Sequence, residues 1–420
     1  MRIWEQGTTC GKSGHRLRQV RSPLAGSPRR RRPVLISNYF RLDRNGPNED
    51  DLVFAVGNPG STNRLRTIDQ FRYERDVRHP AYLNYFETYE RLLRKYAAKG
   101  TEQARQVSNL LLGITNSRKA FTGQLRGLEN PAVWASLERR EALFRQQIAG
   151  TDLSREADDA WIAIGQATAE AARTFRQRLY HNFVGSTLAE IAEIIVRYVE
   201  ETEKPDASRL PGYHDSELCS LEFRLFSPAP IYSNREEHLI AGFLEAAKQE
   251  LGSDDWFVRT VLGNRPPQAI ASHLVRNTEL ANLDFRRELV AGGTAAVVAS
   301  TDPLITTIRQ LDPQRRQVQE AFRQSVESVL EDSGATLARA RFSAFGRTVY
   351  PDATFTLRLA YGTVKGYPMN GTQTPHETSL FGLFDRAISF GRSGEYALPG
   401  RYWQRQSKLD LTNPVNLVSI

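Results

Sequence analysis

The sequence has few of the residues that cross-link a chain or bind transition metals. Its 420 residues include two cysteines, Cys10 and Cys219, which cannot form a disulfide framework or a multi-cysteine zinc site. The histidines occur singly, with no H-E-x-x-H motif and no pair spaced i, i+4, so the sequence predicts no metal and no cofactor. No uninterrupted apolar run approaches the roughly 18 residues of a membrane-spanning helix, so we expect no membrane partner.

The chain also lacks a basic surface outside its beginning. Residues 1–33 carry eight Arg and one Lys against the single acid Glu5, which accounts for the whole net charge of +8. The rest of the chain is electrically balanced and has no electrostatic footprint for phosphate binding. The sequence therefore predicts no nucleic-acid partner.

Residues 1–34 differ in composition from the rest of the chain. They are rich in Arg, Gly, Ser and Pro and show neither helical period nor alternation, so we predict a disordered basic tail. No apolar stretch of the length found in secretory signals follows the basic residues. An organellar transit peptide and a misassigned start codon both fit this composition; we favour the second, in which the tail is not in the native reading frame.

The segment 35–70 is predicted to be β-structure. The run Leu52-Val53-Phe54-Ala55-Val56 is apolar on both faces, which is typical of a buried strand. It ends at Gly57-Asn58-Pro59-Gly60, a strong turn sequence. The residues that follow do not supply the Gly-Lys-Ser/Thr of a phosphate-binding loop.

Residues 71–340 are predicted to form a large helical domain. In one stripe Leu188, Ile191 and Ile195 share a face, and Thr187 with Glu190 has the spacing of a capping box. A later stripe begins at Val318 and is predicted to end at Gly334. The Pro-rich passage 204–211 reads as a long loop of the kind that often borders a site.

The sequence pattern of residues 341–420 again predicts β-structure. Ala353, Phe355, Leu357 and Leu359 alternate with polar residues and predict a strand with one solvated face. Further strands are predicted around Trp403 to Leu411. The order β, long α, β indicates an α+β protein in which a helical domain is inserted into a β domain.

Local sequence offers weak candidates for catalysis. Ser393, bracketed by glycines, and His376, beside Glu377, are the nearest approach to a nucleophile and a base. A polar turn explains Ser393 better than catalysis does, and a surface or core position explains His376 better, so a catalytic pair of Ser393 and His376 is only the third of our hypotheses.

Two stretches together resemble a known family. Residues 50–65, with Gly57, Pro59, Gly60, Asn63 and Arg64, resemble the "GxPGxTNR" segment of bacterial serine dipeptidyl-peptidases, the exopeptidase family that includes dipeptidyl-peptidases seven and eleven. Residues 350–367 and 413–419 resemble the segments that precede the nucleophile of that family. The similarity covers about residues 38–419.

The resemblance implies a chymotrypsin-like double β-barrel split by an inserted α-helical cap domain. It also implies a metal-free His, Asp and Ser mechanism, dipeptides released from free peptide amino termini as substrate class, and an exported location, periplasmic or secreted. By position, the family's amine-binding Asn corresponds to Asn116.

The departures from the family concern catalysis. The family's His lies in an "NHH" segment, its Asp in "HTGDF" and its Ser in "GGNSGSP", and none of these strings occurs in the 420 residues. We therefore expect 35–70 to be the end of a first barrel, 71–340 the cap, and 341–420 the start of a second barrel that stops before the nucleophile. The first hypothesis is a fragment of a serine dipeptidyl-peptidase, inactive alone; the alternative is a non-catalytic helical module that binds peptides or proteins.

Overall fold

The computed structural model describes Ile3–Trp4 and residues 46–183, 185–369 and 371–414. The predicted basic tail, apart from Ile3–Trp4, lies outside these residues. The chain separates into two compact units. The helical unit is Leu65–Tyr350, and the β unit combines Met1–Arg64 with Pro351–Ile420.

The described residues of the helical unit form α-helices joined by short turns. In chain order they are α1 (Ile68–Tyr73), α2 (His79–Ala97), α3 (Thr101–Glu129), α4 (Pro131–Ile148), α5 (Ser154–Tyr180), α6 (Thr187–Thr202), α7 (Asp215–Leu225), α8 (Ser233–Leu251), α9 (Trp256–Leu262), α10 (Pro267–Arg276), α11 (Leu283–Ala291), α12 (Gly293–Ala299), α13 (Pro303–Phe322) and α14 (Ser328–Phe345). A π-helical turn joins α1 to α2 at Glu74–Arg78, and another joins α13 to α14 at Arg323–Glu327. Helices thus occur from Ile68 to Phe345, where the sequence predicts a helical domain over 71–340.

Helix α6 lies in the main core of the helical unit. Leu188, Ile191 and Ile195 are buried there, as their spacing predicts, together with apolar residues of α8, α9, α10 and α13. The predicted cap is off by one residue. Ser186, and not Thr187, precedes the helix, and its hydroxyl accepts the N–H of Ala189.

The helical stretch that contains Val318 does not end at Gly334. The chain passes from α13 through the π-helical turn into α14, which continues to Phe345. Ser333 and Leu337 are both buried on the packed face of α14, so packing holds the helix together across the glycine. Helix α8, in contrast, does end at a glycine, Gly252, which has a φ of 85°.

The β unit contains a small sheet whose central strand is β2 (Leu52–Gly57). Strand β1 (Ile3–Trp4) pairs with it in parallel, and β3 (Arg358–Thr363) pairs with it antiparallel, with Phe54 opposite Tyr361. A two-stranded ribbon of β4 (Pro368–Met369) and β5 (Thr372–Gln373) follows, and then the helices α15 (Leu380–Ser389) and α16 (Gly400–Arg405). The described residues are thus mostly helical with a small sheet.

Three predictions for the β unit were wrong in detail. Strand β2 is only partly buried, because it belongs to a small sheet and not to a covered one. The second strand begins at Arg358 and not at Ala353, since Phe355 adopts a φ of 61°, which an extended strand cannot contain. The region around Trp403 forms α16 and a short 3₁₀ turn in place of strands.

Candidate functional site

The two stretches that carry the family resemblance contact each other inside the β unit. Where β2 ends, the side-chain amide of Asn58 donates to the carbonyl of Phe355, at 2.9 Å. The N–H of Phe355 in turn donates to the carbonyl of Gly60, also at 2.9 Å. These bonds fix the unusual backbone of Phe355. The Asn58-Pro59-Gly60 turn is therefore one half of a joint between segments nearly 300 positions apart.

Asp352 is the centre of this joint. Its Oδ1 accepts the hydroxyl of Thr62 at 2.7 Å and the backbone N–H of Arg64 at 2.8 Å, and the Nε of Arg64 lies 3.7 Å away. The Thr62 hydroxyl also accepts the N–H of Ala353 at 2.9 Å. In the described structure the segment of Gly57, Pro59, Gly60, Asn63 and Arg64 thus joins two parts of the β unit. Sequence reasoning missed Asp352, whose partners are far away in the chain.

Asn116 lies on an exposed face in the middle of α3. This helix runs without a break from Thr101 to Glu129. Among the described residues, no hydrogen bond occupies the Asn116 side chain. A carboxamide in this state can accept hydrogen bonds from an ammonium group and donate to a carbonyl. The structure thus leaves Asn116 available to a ligand.

Contacts with α2 fix the orientation of the helix that carries Asn116. The carboxylate of Glu90 accepts bonds from Arg94 at 2.6 Å and from Arg118, on α3, at 2.9 Å. Burial raises the pKa of Glu90, but the bonds from Arg94 and Arg118 outweigh it and hold the pKa below its usual value. Nearer the end of α3, the ring of buried His79 lies 2.9 Å from the side-chain oxygen of Gln124.

The helical unit also contains a cleft of about 550 Å³ at the start of α6. Pro211, the last residue of the predicted loop, lines it together with Gly212 and Tyr213. Its carboxylates already have partners, since Glu193 lies 2.9 Å from Arg315 and Glu190 lies 3.1 Å from Arg224. The cleft therefore offers no unpaired carboxylate to a peptide ammonium group.

Ser393 and His376 do not form a catalytic pair in the part of the chain that the structure describes. Ser393 is exposed and precedes a 3₁₀ turn. The Nδ1 of His376 lies 4.0 Å from a carboxylate oxygen of Glu49, and no hydrogen bond joins this ring to Ser393. A nucleophile needs its base within hydrogen-bond reach. The hypothesis of altered chemistry at these two residues thus gains nothing from the geometry.

The residues that the structure describes contain no group of three or more His, Cys, Asp and Glu side chains placed to bind a metal ion. None of their helices combines the length and the hydropathy that crossing a bilayer requires.

Two comparisons of the sequence with known proteins agree on one family. A model of the peptidase S46 family matches residues 27–420. The Asp/Glu-specific dipeptidyl-peptidase of Shewanella putrefaciens is 22% identical over 347 residues, which cover 80% of this chain and 46% of that protein. Dipeptidyl-peptidase 7 of Porphyromonas endodontalis is 22% identical over 382 residues, which cover 84% and 43%. The chain thus spans less than half the length of these two relatives.

Solved structures show the same fold. A crystal structure of Porphyromonas endodontalis DPP11 with the dipeptide Arg-Glu matches with a TM-score of 0.60 at 15% identity, over 92% of this chain and 56% of that one. The same protein with the dipeptide Arg-Asp matches with a TM-score of 0.61 at 14% identity, over 90% and 55%. At this level of identity the likeness concerns the fold.

Proposed function

The chain belongs to the peptidase S46 family, and on that basis we propose that it takes part, as a peptide-binding component, in the serine-type release of dipeptides from the free amino termini of peptides. The observation that carries the proposal is the family match over nearly the whole sequence, joined by two relatives that are dipeptidyl-peptidases. The helical unit is the part that binds the peptide, and the β unit belongs to a chymotrypsin-like double barrel.

We assign to Asn116 the role of binding the peptide's amino terminus. Its side chain is free, it lies on an exposed helix face, and its oxygen is an acceptor for an ammonium N–H. A hydrogen bond to a charged group contributes about 1.5–3 kcal/mol, which corresponds to roughly 10- to 100-fold in affinity. An acetylated amino terminus has no charge to offer. The contact would therefore restrict cleavage to free amino termini.

Hydrolysis needs a nucleophile, a base and an oxyanion pocket in one place. The 420 residues contain none of the three family strings that carry His, Asp and Ser. We propose that this chain alone binds peptide amino termini without cleaving the peptide.

The test compares one peptide with a free and with an acetylated amino terminus, by calorimetric titration of the full chain. We expect the free form to bind at least about 10-fold more tightly. Asn116→Ala should remove this difference. Asn109→Ala is the matched control, because Asn109 is exposed on the same helix and lies about 10 Å away at 1.5 Å per residue. Equal binding of both peptides to the unaltered chain would refute the role of Asn116.

A second measurement follows dipeptide release by mass spectrometry. No release is expected from the purified chain. Release that disappears in Ser393→Ala would instead favour the hypothesis of altered chemistry.

The alternative of a non-catalytic binding module has one observation in its favour. Leu112, one turn before Asn116 on α3, is 72% exposed, and Phe223 on α7 is 73% exposed. Large exposed apolar side chains are typical of surfaces that bind other proteins. Binding that depends on Leu112 and ignores the state of the peptide amino terminus would favour this alternative.

A further inference from the structure

A separate cavity of about 240 Å³ lies in the helical unit, where residues of α2, α3, α8 and α10 come together. We call it the Lys99 cavity; its lining includes Tyr96, Lys99, Asn234, Glu237, His238 and Arg276. Its volume is far above that of a single water, which occupies about 30 Å³ in the liquid, and below the usual lower limit of about 300 Å³ for drug-sized ligands. The cavity therefore suits a small polar molecule. Asn116 does not line it.

One lining residue of the Lys99 cavity, His238, carries a hydrogen-bond acceptor without a protein donor. The Nε2 of His238 lies 2.9 Å from the carbonyl oxygen of Leu92. Because a carbonyl can only accept, Nε2 must carry the proton, and Nδ1 is then a bare acceptor. No described residue donates to this Nδ1. Burial lowers the pKa of His238, and the charges of Lys99 and Lys95 lower it further, so the ring is neutral at pH 7.

The charged residues that line the Lys99 cavity carry an excess of positive charge. The carboxylate of Glu237 already has two partners, the side-chain amide of Gln268 at 2.9 Å and the Nε of Arg276 at 3.5 Å. The ammonium of Lys99 lies 5.3 Å from the centre of the Tyr96 ring, and no described carboxylate is within 4 Å of it. Lys99 and Arg276 against Glu237 leave a net charge of about +1 beside neutral His238. The cavity thus favours an anionic group near Lys99.

From these two features we propose that the Lys99 cavity binds a small carboxylate that also carries an O–H or N–H donor, that is, a 2-hydroxy or 2-amino acid. The carboxylate would pair with Lys99, and the donor would bond to Nδ1 of His238. The proposal is independent of the peptidase function, because it uses neither Asn116 nor the β unit.

The experiment titrates the full chain at pH 7.5 with four matched ligands, followed by calorimetry and by saturation-transfer NMR. L-2-hydroxypropionate and L-alanine carry both groups, propionate lacks the donor, and methyl 2-hydroxypropionate lacks the carboxylate. We expect saturable binding of at least one of the first two, with a Kd of about 1 mM or tighter. Propionate and the ester should each bind about five-fold more weakly than that ligand. Whichever of the first two binds more tightly shows whether the natural donor is O–H or N–H.

Two cavity variants and one control variant locate the binding. Lys99→Met should weaken binding about five-fold, whereas Lys248→Met, an exposed lysine of α8 outside the cavity, should leave binding unchanged. His238→Phe should remove the advantage of 2-hydroxypropionate over propionate. Circular dichroism checks that the phenylalanine variant folds; if it does not, Lys99→Met and the ligand series decide. No saturation by either acid, equal binding of propionate, or equal losses in the two lysine variants would overturn the proposal.

Discussion

Replacing Asp352 by alanine tests whether the joint between the two resembling segments holds the β unit together. The carboxylate accepts the Thr62 hydroxyl at 2.7 Å and the Arg64 N–H at 2.8 Å. Hydrogen bonds to a charged group contribute about 1.5–3 kcal/mol each when shielded from water. Asp352 is 20% exposed and Arg64 is 53% exposed, so the ion pair itself adds little. We expect a loss of about 2 kcal/mol.

The loss should be local, because the joint ties β2 to the segment before β3. Hydrogen–deuterium exchange with mass spectrometry measures it directly. The amides of Leu52–Gly57 and Arg358–Thr363 should exchange about 30-fold faster in Asp352→Ala, since 1.36 kcal/mol corresponds to a factor of ten. Peptides from α6 are the internal reference and should not change.

Two further variants make the test specific. Asp385→Ala removes an exposed carboxylate from the same unit and should leave exchange unaltered. Thr62→Val should lose less stability than Asp352→Ala. The double variant should be less stable than Asp352→Ala by no more than about 0.5 kcal/mol, because both changes break the same hydrogen bond. Unchanged exchange in both strands would refute the role of Asp352 in joining the two segments. Losses of stability that add fully in the double variant would refute it as well.

Periodicity predicted the helices well because each buries one continuous face. The burial of Leu188, Ile191 and Ile195 could be predicted from their spacing alone. The first residue of α6, in contrast, could not be predicted from local spacing. Ser186 caps it, and the Oε2 of Glu236, 50 residues later, accepts the Ser186 hydroxyl at 2.7 Å and the N–H of Leu188 at 3.1 Å. A carboxylate from another helix therefore sets this boundary, and local sequence does not contain it.

The sequence predicted a helix end at Gly334, but helices continue across glycine in two places. Gly113 lies inside α3 and Gly334 inside α14. A glycine costs only about 1 kcal/mol in a helix interior, less than burial of one large apolar side chain contributes. Helix α3 packs along α2 through the bond from Arg118 to Glu90, so the local signal was outweighed. The exposed position of Asn116 follows from this packing.

Glu236 and Glu201 are both completely buried, and they give two predictions for the helical unit. Glu236→Ala should lower the free energy of unfolding in urea by about 3 kcal/mol, because it leaves Ser186 and the start of α6 without their acceptor; exposed Glu245→Ala is the control and should change little. Burial raises the pKa of Glu201, but bonds from Lys204 and Arg316 outweigh it and hold the pKa below the usual 4.5. A lowered pKa in the folded state means that the folded protein binds fewer protons than the unfolded one, so this stabilisation is complete above pH 4.5 and is lost as the pH falls through the depressed value. Melting temperatures between pH 7 and pH 3 should therefore fall less steeply in Glu201→Gln than in the unaltered chain, and parallel curves would contradict the assignment.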